Sequence, residues 1–492
     1  MEYNYQNKVV RLHSQNISLN WLEPYKIDDN TSGICSGSFI SNDGLILTCS
    51  HCVEKSTNVF FEIPYNGPEK YQADIIFICP EHDIALLKAR GYKNKDYFKI
   101  MNNNDFYKIK SGTEVLSIGF PLGSNNLKIT KGIISGKDNG KIQTTAPLNR
   151  GNSGGPMVIK NTIIGINSSG IINASNIGFA VPISYFNIIK NSNKKLIKLP
   201  KLGIDKCNLT KEFSEVNKNI SGILVTHVYK NSLANKLNIK IGDIITKIDN
   251  NKLDNYGLIN KRWYNEKMSI YDYLKTIKEN TIIKIEWVNN GKKKKNSSKF
   301  IHYEEPLEKR YHLYENKNNY SIFGGIIVSE LNYNNLSQII KNLTKITDES
   351  LIIHERFVNA ISYLKFNTEN KKGIIITHIF PNSIVNNANI IKVGDIIKKV
   401  NNVEVSNISE YNKILSRPLM KHNIPYIKIE TIDNKILIIK LTDVLKEEGE
   451  SSKNYMYDIT DTIQDLLHKY SVVNKKQSKT KVKVQKKKKS KK

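Results

Sequence analysis

Ser153 sits in Asn149-Arg-Gly-Asn-Ser-Gly-Gly-Pro156, where flanking glycines permit a tight turn that exposes the hydroxyl. A serine hydroxyl is a poor nucleophile and needs a neighbouring base to take its proton. Acyl transfer also needs N–H groups aimed at the developing oxyanion, and this turn offers those of Gly151 and Ser153. Among ten histidines, His51 is the candidate base, because it closes the apolar run Gly44-Leu-Ile-Leu-Thr-Cys-Ser-His51 and so enters a loop from a strand end. The candidate acid is Asp83, which heads the apolar stretch Ile84-Ala-Leu-Leu-Lys88. Asp74 is its rival, but without that context it reads as a surface residue. The chain order His, Asp, Ser is one of the known orders of a nucleophilic triad. His82 is expected to be exposed beside the acid, and His227 and His378 to be ordinary strand residues at matching positions of a repeat.

These residues lie between about Gly33 and Ile189, where short apolar runs are punctuated by Asn42-Asp-Gly44, Gly119-Phe-Pro121 and Asp138-Asn-Gly140. Many short strands with turns at regular spacing predict a sandwich or barrel. Asn193 to Lys201 reads as a linker. Beyond it, Gly222-Ile-Leu-Val-Thr-His-Val-Tyr-Lys-Asn-Ser232 returns 151 residues later as Gly373-Ile-Ile-Ile-Thr-His-Ile-Phe-Pro-Asn-Ser383. Two copies so far apart mean a duplicated domain rather than a solenoid. Each copy reads as a small mixed α/β module with a further helix, around Tyr271–Lys278 or Ile408–Leu415. The second starts early, at Ser321, and carries an insertion with a helix around Ser337–Leu343. An amphipathic helix at Ile459–Tyr470 could use Ile463, Leu466 and Leu467 to dock on a domain or to pair with another chain.

A chain of 492 residues predicts about three domains. No stretch reaches the roughly 18–20 apolar residues of a membrane helix. The N-terminus lacks the basic and apolar regions of a secretory signal, so a cytoplasmic or nuclear location is expected. There the five cysteines are expected to be reduced thiols, and Cys49-x-x-Cys52 has no second pair to complete a metal site. The net charge of +28 is uneven, with eleven lysines and no acid in Asn474–Lys492. That segment reads as a disordered tail, suited to solubility, a nuclear address or salt-dependent contact with nucleic acid. Lys292 to Lys295 reads as a charged hairpin turn.

Several motifs then occur in register. Ser36-Gly-Ser-Phe-Ile-Ser41, Asp43-Gly-Leu-Ile-Leu-Thr48, Asp83-Ile-Ala-Leu-Leu87, Ser117-Ile-Gly-Phe-Pro-Leu-Gly123, Gly151-Asn-Ser-Gly-Gly-Pro156 and Gly178-Phe-Ala-Val-Pro182 together resemble the HtrA/Deg proteases, nearer the plant-type Deg branch. The resemblance implies a mainly β protein: a chymotrypsin-like double β-barrel followed by two PDZ-like mixed α/β modules. The expected divisions are an arm at 1–32, a trypsin-like domain at 33–192, PDZ-like modules at 201–303 and 319–445, and a helix with a Lys-rich tail at 446–492. It further implies an ATP-independent endopeptidase cutting unfolded or flexible segments, with His51, Asp83 and Ser153 catalytic and no cofactor or metal. The alternative is a PDZ-based scaffold with a latent protease. Leu202, Gly203 and Ile204, with Phe323, Gly324 and Gly325 as their counterparts, resemble carboxylate-binding loops for C-terminal peptides. A trimer-based homo-oligomer is implied, for which Tyr3, Tyr5 and Trp21 are candidate anchors. Secreted relatives of this fold carry a disulfide where Cys35 and Cys52 bracket His51, although the expected compartment argues against one here. Arg150 and Cys49 depart from the family pattern. With Pro147 and Leu148 approaching the serine and no acid at the pocket base, small or medium apolar P1 residues are expected.

Overall fold

A computed structural model describes residues 4–138, 140–170, 177–263, 266–303, 319–343, 358 and 373–470. The chain divides into two compact units. The first contains the described residues of Met1–Ser18 and Asp29–Glu305, and the second those of Leu19–Asp28 and Asn316–Lys492. Among the described residues, no helix is long and apolar enough to cross a membrane.

The first unit opens with β1 (Val9–Leu19), β2 (Ile27–Phe39), β3 (Leu45–Thr48), β4 (Ser56–Glu62), β5 (Tyr71–Cys79) and β6 (Ile84–Ala89), closed into a barrel in the order β1-β2-β3-β6-β5-β4. Strand alternation fills its interior: Ile46, Phe39 and Phe61 are fully buried, the two rings meeting edge to face. A second ring follows from β7 (Lys99–Ile100), β8 (Glu114–Gly119), β9 (Lys128–Asp138), β10 (Lys141–Thr144), β11 (Pro156–Ile159), β12 (Thr162–Gly170) and β13 (Gly178–Pro182). Its order β11-β8-β9-β10-β13-β12 closes through a β11–β12 pairing, and β7 lies parallel to β12. Closure removes the free edges that an open sheet would expose.

The stretch 1–32 departs from the expected arm. Val10 and Leu12 share the face that packs beside Gly37 and Phe61, and Val9 is buried on the other face, so this stretch supplies β1 and the start of β2. Its apolar run was too short and too polar at its far end to read as a barrel strand. Tyr5 stacks on Phe98 and donates its hydroxyl hydrogen to the Lys160 carbonyl at 2.7 Å, as an interior group of the first unit. Trp21 belongs to the second unit, where its backbone N–H donates to Gln338 Oε1 at 3.0 Å. Tyr3 lies outside the described residues. The stretch around Asn193–Lys201 runs beside β5, with the Ile197 N–H on the Ile78 carbonyl and Leu199 buried.

The first α/β module has β14 (Ile204–Asn208), β15 (Ile223–Val228), β16 (Ile244–Ile248), β17 (Asn251–Lys252), β18 (Leu258–Trp263), β19 (Glu266–Ser269), β20 (Ile282–Asn289) and β21 (Lys292–Lys299). Its main sheet runs β14-β15-β16-β20-β21, and the lysine cluster lies on the outer strand of the β20–β21 hairpin. A lysine-rich edge strand discourages pairing with other chains. Helix Ile270–Lys275 is capped by the Ser269 hydroxyl, which accepts from the Asp272 N–H.

The second module repeats this plan with β22 (Tyr320–Phe323), β23 (Ile326–Glu330), β24 (Ile374–Ile379), β25 (Ile396–Val400), β26 (Val403–Glu404), β27 (Leu419–Lys421), β28 (Ile424–Thr431) and β29 (Ile436–Lys440). Its sheet order is β22-β23-β24-β25-β28-β27, and its helices include Tyr333–Leu343, Ile408–Leu415 and Leu441–Tyr455. A last helix, 461–470, buries Ile463 and Leu466 in this module's own core and rests Leu467 against it.

Candidate active site

His51 stands on the 3-10 turn Ser50–Cys52 that follows β3, and Asp83 lies between β5 and β6 with a left-handed backbone (φ 56°). Such a conformation is strained for a non-glycine residue and persists only when its surroundings enforce it. Here the carboxylate enforces it. Asp83 Oδ1 accepts from the His51 backbone N–H at 3.1 Å and lies 2.8 Å from His51 Nδ1, while Oδ2 accepts from the Ser168 hydroxyl at 2.8 Å. With Nδ1 on the carboxylate, Nε2 is left as the basic nitrogen. Burial works to lower the pKa of His51, but the hydrogen bond and charge of Asp83 outweigh it and the net shift is upward. Asp83 is conversely held below the usual carboxylate range: burial pushes it up, and the bonds from His51 and Ser168 win.

Ser153 lies on the turn between β10 and β11. Its Oγ donates to the Ser168 carbonyl at 2.8 Å, and among the described residues no hydrogen bond joins it to His51. The turn hangs on Ser36, a fully buried residue of β2. Its N–H donates to the Ser153 carbonyl at 2.8 Å, its hydroxyl donates to the Gly151 carbonyl at 2.7 Å, and the same oxygen accepts from the Phe120 N–H. Gly151 has φ +95°, and a Cβ there would collide with the Phe120 carbonyl. The Arg150 carbonyl accepts from the Leu122 N–H at 2.6 Å. A trans peptide points its N–H opposite to its C=O, so this bond turns the Gly151 N–H away from Leu122. Among the described residues, neither the Gly151 nor the Ser153 N–H is paired with a protein acceptor. Arg11 braces the same loop, donating to the carbonyls of Gly123 and Ser124 at 3.0 and 2.9 Å while paired with the buried Glu62.

Ser168, Ser36 and Arg11 carry no local signal in the sequence. Each works across a long separation, and only the quoted Ser36-Gly-Ser motif pointed near one of them. Asp74 makes a surface ion pair with Arg90 at 2.6 Å. His82 corrects an expectation: it is 4% exposed, stacked on Tyr185 at 4.3 Å, and pushed down to about 3 by burial and the charge of Lys275. Cys49 is fully buried, donating to the Asn167 carbonyl at 3.2 Å, with its thiol pushed well up by burial and by Asp83. A second correction concerns Cys35 and Cys52, expected as thiols. They form a disulfide, because β2 and the turn after β3 bring their Cα atoms to 6.1 Å. Leu148 is half-buried and lies against Gly178. Leu202, Gly203 and Ile204 form the entry to β14, and Phe323, Gly324 and Gly325 form the β22–β23 turn.

Two six-stranded β rings, with a His-Asp pair and a glycine-flanked serine brought together beside Ser168, define a protein of the trypsin-like peptidase class. The family model "Trypsin-like peptidase domain" matches residues 35–166, "PDZ domain" matches 363–416 and "Peptidase S46" matches 5–59. A DegP-like periplasmic serine endoprotease of Pseudomonas putida is 32% identical over 237 residues, 44% of this chain and 47% of that protein. The mitochondrial protease Do-like 3 of Arabidopsis thaliana is 24% identical over 454 residues, 87% of this chain and 76% of that one. A solved HtrA-type protease, AlgW with a decapeptide, aligns with TM-score 0.46 and 23% identity over 60% of this chain and 95% of its own. The chain is similar to HtrA/Deg proteases, both the bacterial DegP-like ones and the plant Do-like one. It spans about half the length of the bacterial relatives it matches.

Proposed function

We propose that the chain is a serine endopeptidase acting on unfolded or flexible polypeptide segments. The observation that carries this is the convergence of His51, Asp83 and Ser153 beside two unspent N–H groups, those of Gly151 and Ser153. A rotation about the Ser153 side chain takes its hydroxyl from the Ser168 carbonyl to His51 Nε2, which removes the proton as Oγ attacks the peptide carbonyl. The Gly151 and Ser153 amides hold the oxyanion, and the Arg150–Leu122 bond keeps the first of them aimed. Asp83 stabilises the imidazolium, which then protonates the leaving amine, and water hydrolyses the acyl-enzyme. Leu148 against Gly178 leaves an apolar wall, in keeping with small or medium apolar P1 residues. The outer edge of β14, along which no described strand pairs, suits capture of a C-terminal peptide as an added strand. A trimer-based assembly is part of this reading; the lysine tail, outside the described residues, is assigned a polyanion contact that salt would weaken.

The test is cleavage of unfolded casein by the parent and by Ser153→Ala, with a fluorophosphonate probe as a second readout. Cleavage and labelling by the parent alone are expected, with a loss of about 10⁴-fold or more in the variant. Equal cleavage by both chains would sink the assignment of Ser153.

A further inference from the structure

The two copies of the duplicated module differ at the feature an incoming peptide would use. A peptide of this kind adds as a strand to a sheet edge, and backbone amides at the entry turn capture its terminal carboxylate. In the first module, Lys201-Leu-Gly-Ile204 leads into β14, the outermost strand, and no described strand pairs with its outer edge. In the second, Phe323-Gly-Gly-Ile326 leads into β23, which is not outermost. β22 lies along it, antiparallel, from Tyr320 opposite Ser329 to Phe323 opposite Ile326.

That is the direction an added peptide would take, with its end at the glycine turn, except that here the strand is continuous with the turn. β22 is also held from the helix side, where the Ser321 hydroxyl donates to Asn412 Oδ1 at 2.7 Å on helix Ile408–Leu415. Ser321, Ile322 and Phe323 are all buried. The place of the carboxylate is filled as well. The Gly324 N–H donates to Glu448 Oε2 at 3.2 Å, and the Tyr457 hydroxyl donates to Oε1 at 2.8 Å. Glu448 comes from helix Leu441–Tyr455, is 1% exposed, and makes no ion pair among the described residues. An acid so deeply buried at the turn amide has no catalytic use, and packing alone would favour an apolar side chain there.

We propose that the second module is self-liganded: β22 takes the place of a bound peptide strand and the Glu448 carboxylate that of a peptide C-terminus, so free C-terminal peptides are refused there and left to β14. This rests on the PDZ nature of the module and not on the peptidase reading.

The test is hydrogen exchange on the full chain carrying Ser153→Ala. The probes are a decapeptide ending in valine with a free carboxylate, its C-terminal amide, and sodium acetate matched against sodium chloride. The free peptide is expected to slow exchange only at 204–208. Glu448→Ala is expected to speed exchange across 320–330 by about tenfold, and acetate to restore it in that variant while leaving the parent unchanged. Peptide protection at 326–330 in the parent, parent-like exchange in Glu448→Ala, or an equal acetate effect in both chains would overturn the proposal. A peptide that slows neither strand leaves the acetate arm to decide. If Glu448→Ala loses its far-UV circular dichroism, Glu448→Gln decides. It keeps the shape, and faster exchange than the parent without any acetate response is expected, whereas parent-like exchange refutes the carboxylate's role.

Discussion

Asp83 serves three donors at once: the His51 backbone, the His51 ring and the Ser168 hydroxyl. Because it lifts His51 above the ordinary histidine value of about 6.5, the acidic limb of kcat/KM is expected above that pH. The sign follows from linkage: protonated His51 stabilises the fold below the ordinary value, and that contribution fades as pH rises through the folded value, where activity appears. Asp83→Asn should move the limb to lower pH and cut kcat by roughly 10⁴, as loss of the orienting carboxylate does in related triads; a pH profile with an unmoved limb would count against it. Ser36→Ala should cost about 1–3 kcal/mol and lower kcat more than it raises KM, since it frees the Gly151 carbonyl and the Phe120 N–H in a dry site. Denaturant melts beside kcat and KM check this. His51 and Asp83 were readable because each sits at the end of an apolar run, a local pattern. Ser36 and Ser168 were not, because their partners lie 115 and 85 residues away.

Among the elements, the strands of both rings declared themselves through short apolar runs separated by turn residues, and the helix at Ile408–Leu415 through its matching place in the repeat. β1 escaped because its apolar start is interrupted by the polar run His13-Ser-Gln-Asn16 before Ile17 and Leu19. The second module's entry turn was legible as a glycine motif, but not what fills it. Glu448 lies 124 residues from Gly324, and nothing near either residue announces the other. The bridge between β2 and the turn carrying His51 closes a loop of 17 residues. Replacing Cys35 and Cys52 together by serine should lower stability by about 2–4 kcal/mol, with a matching fall in the first unit's melting temperature. An unchanged melting curve, or one indifferent to reductant in the parent, would show that the bridge does not hold this corner.

For the whole molecule, the tip of the β1–β2 hairpin carries the largest consequence. Leu19–Asp28 belongs to the second unit, where Leu22 packs beside Leu336 and Ile339 and Tyr25 meets Phe380 and Tyr457 edge to face. A chain ending at Glu305 should therefore expose Leu22 and Tyr25, and exchange across 19–28 should rise about tenfold or more; unchanged exchange would show that the tip holds its own shape. The same feature imposes an order on synthesis. The tip is made well before the residues that cover it, since Tyr25 waits for Tyr457, more than four hundred positions later, to complete its aromatic cluster. Throughout that interval the nascent chain presents Leu22 and Tyr25 uncovered, which makes the N-terminal hairpin the natural foothold for a chaperone during translation.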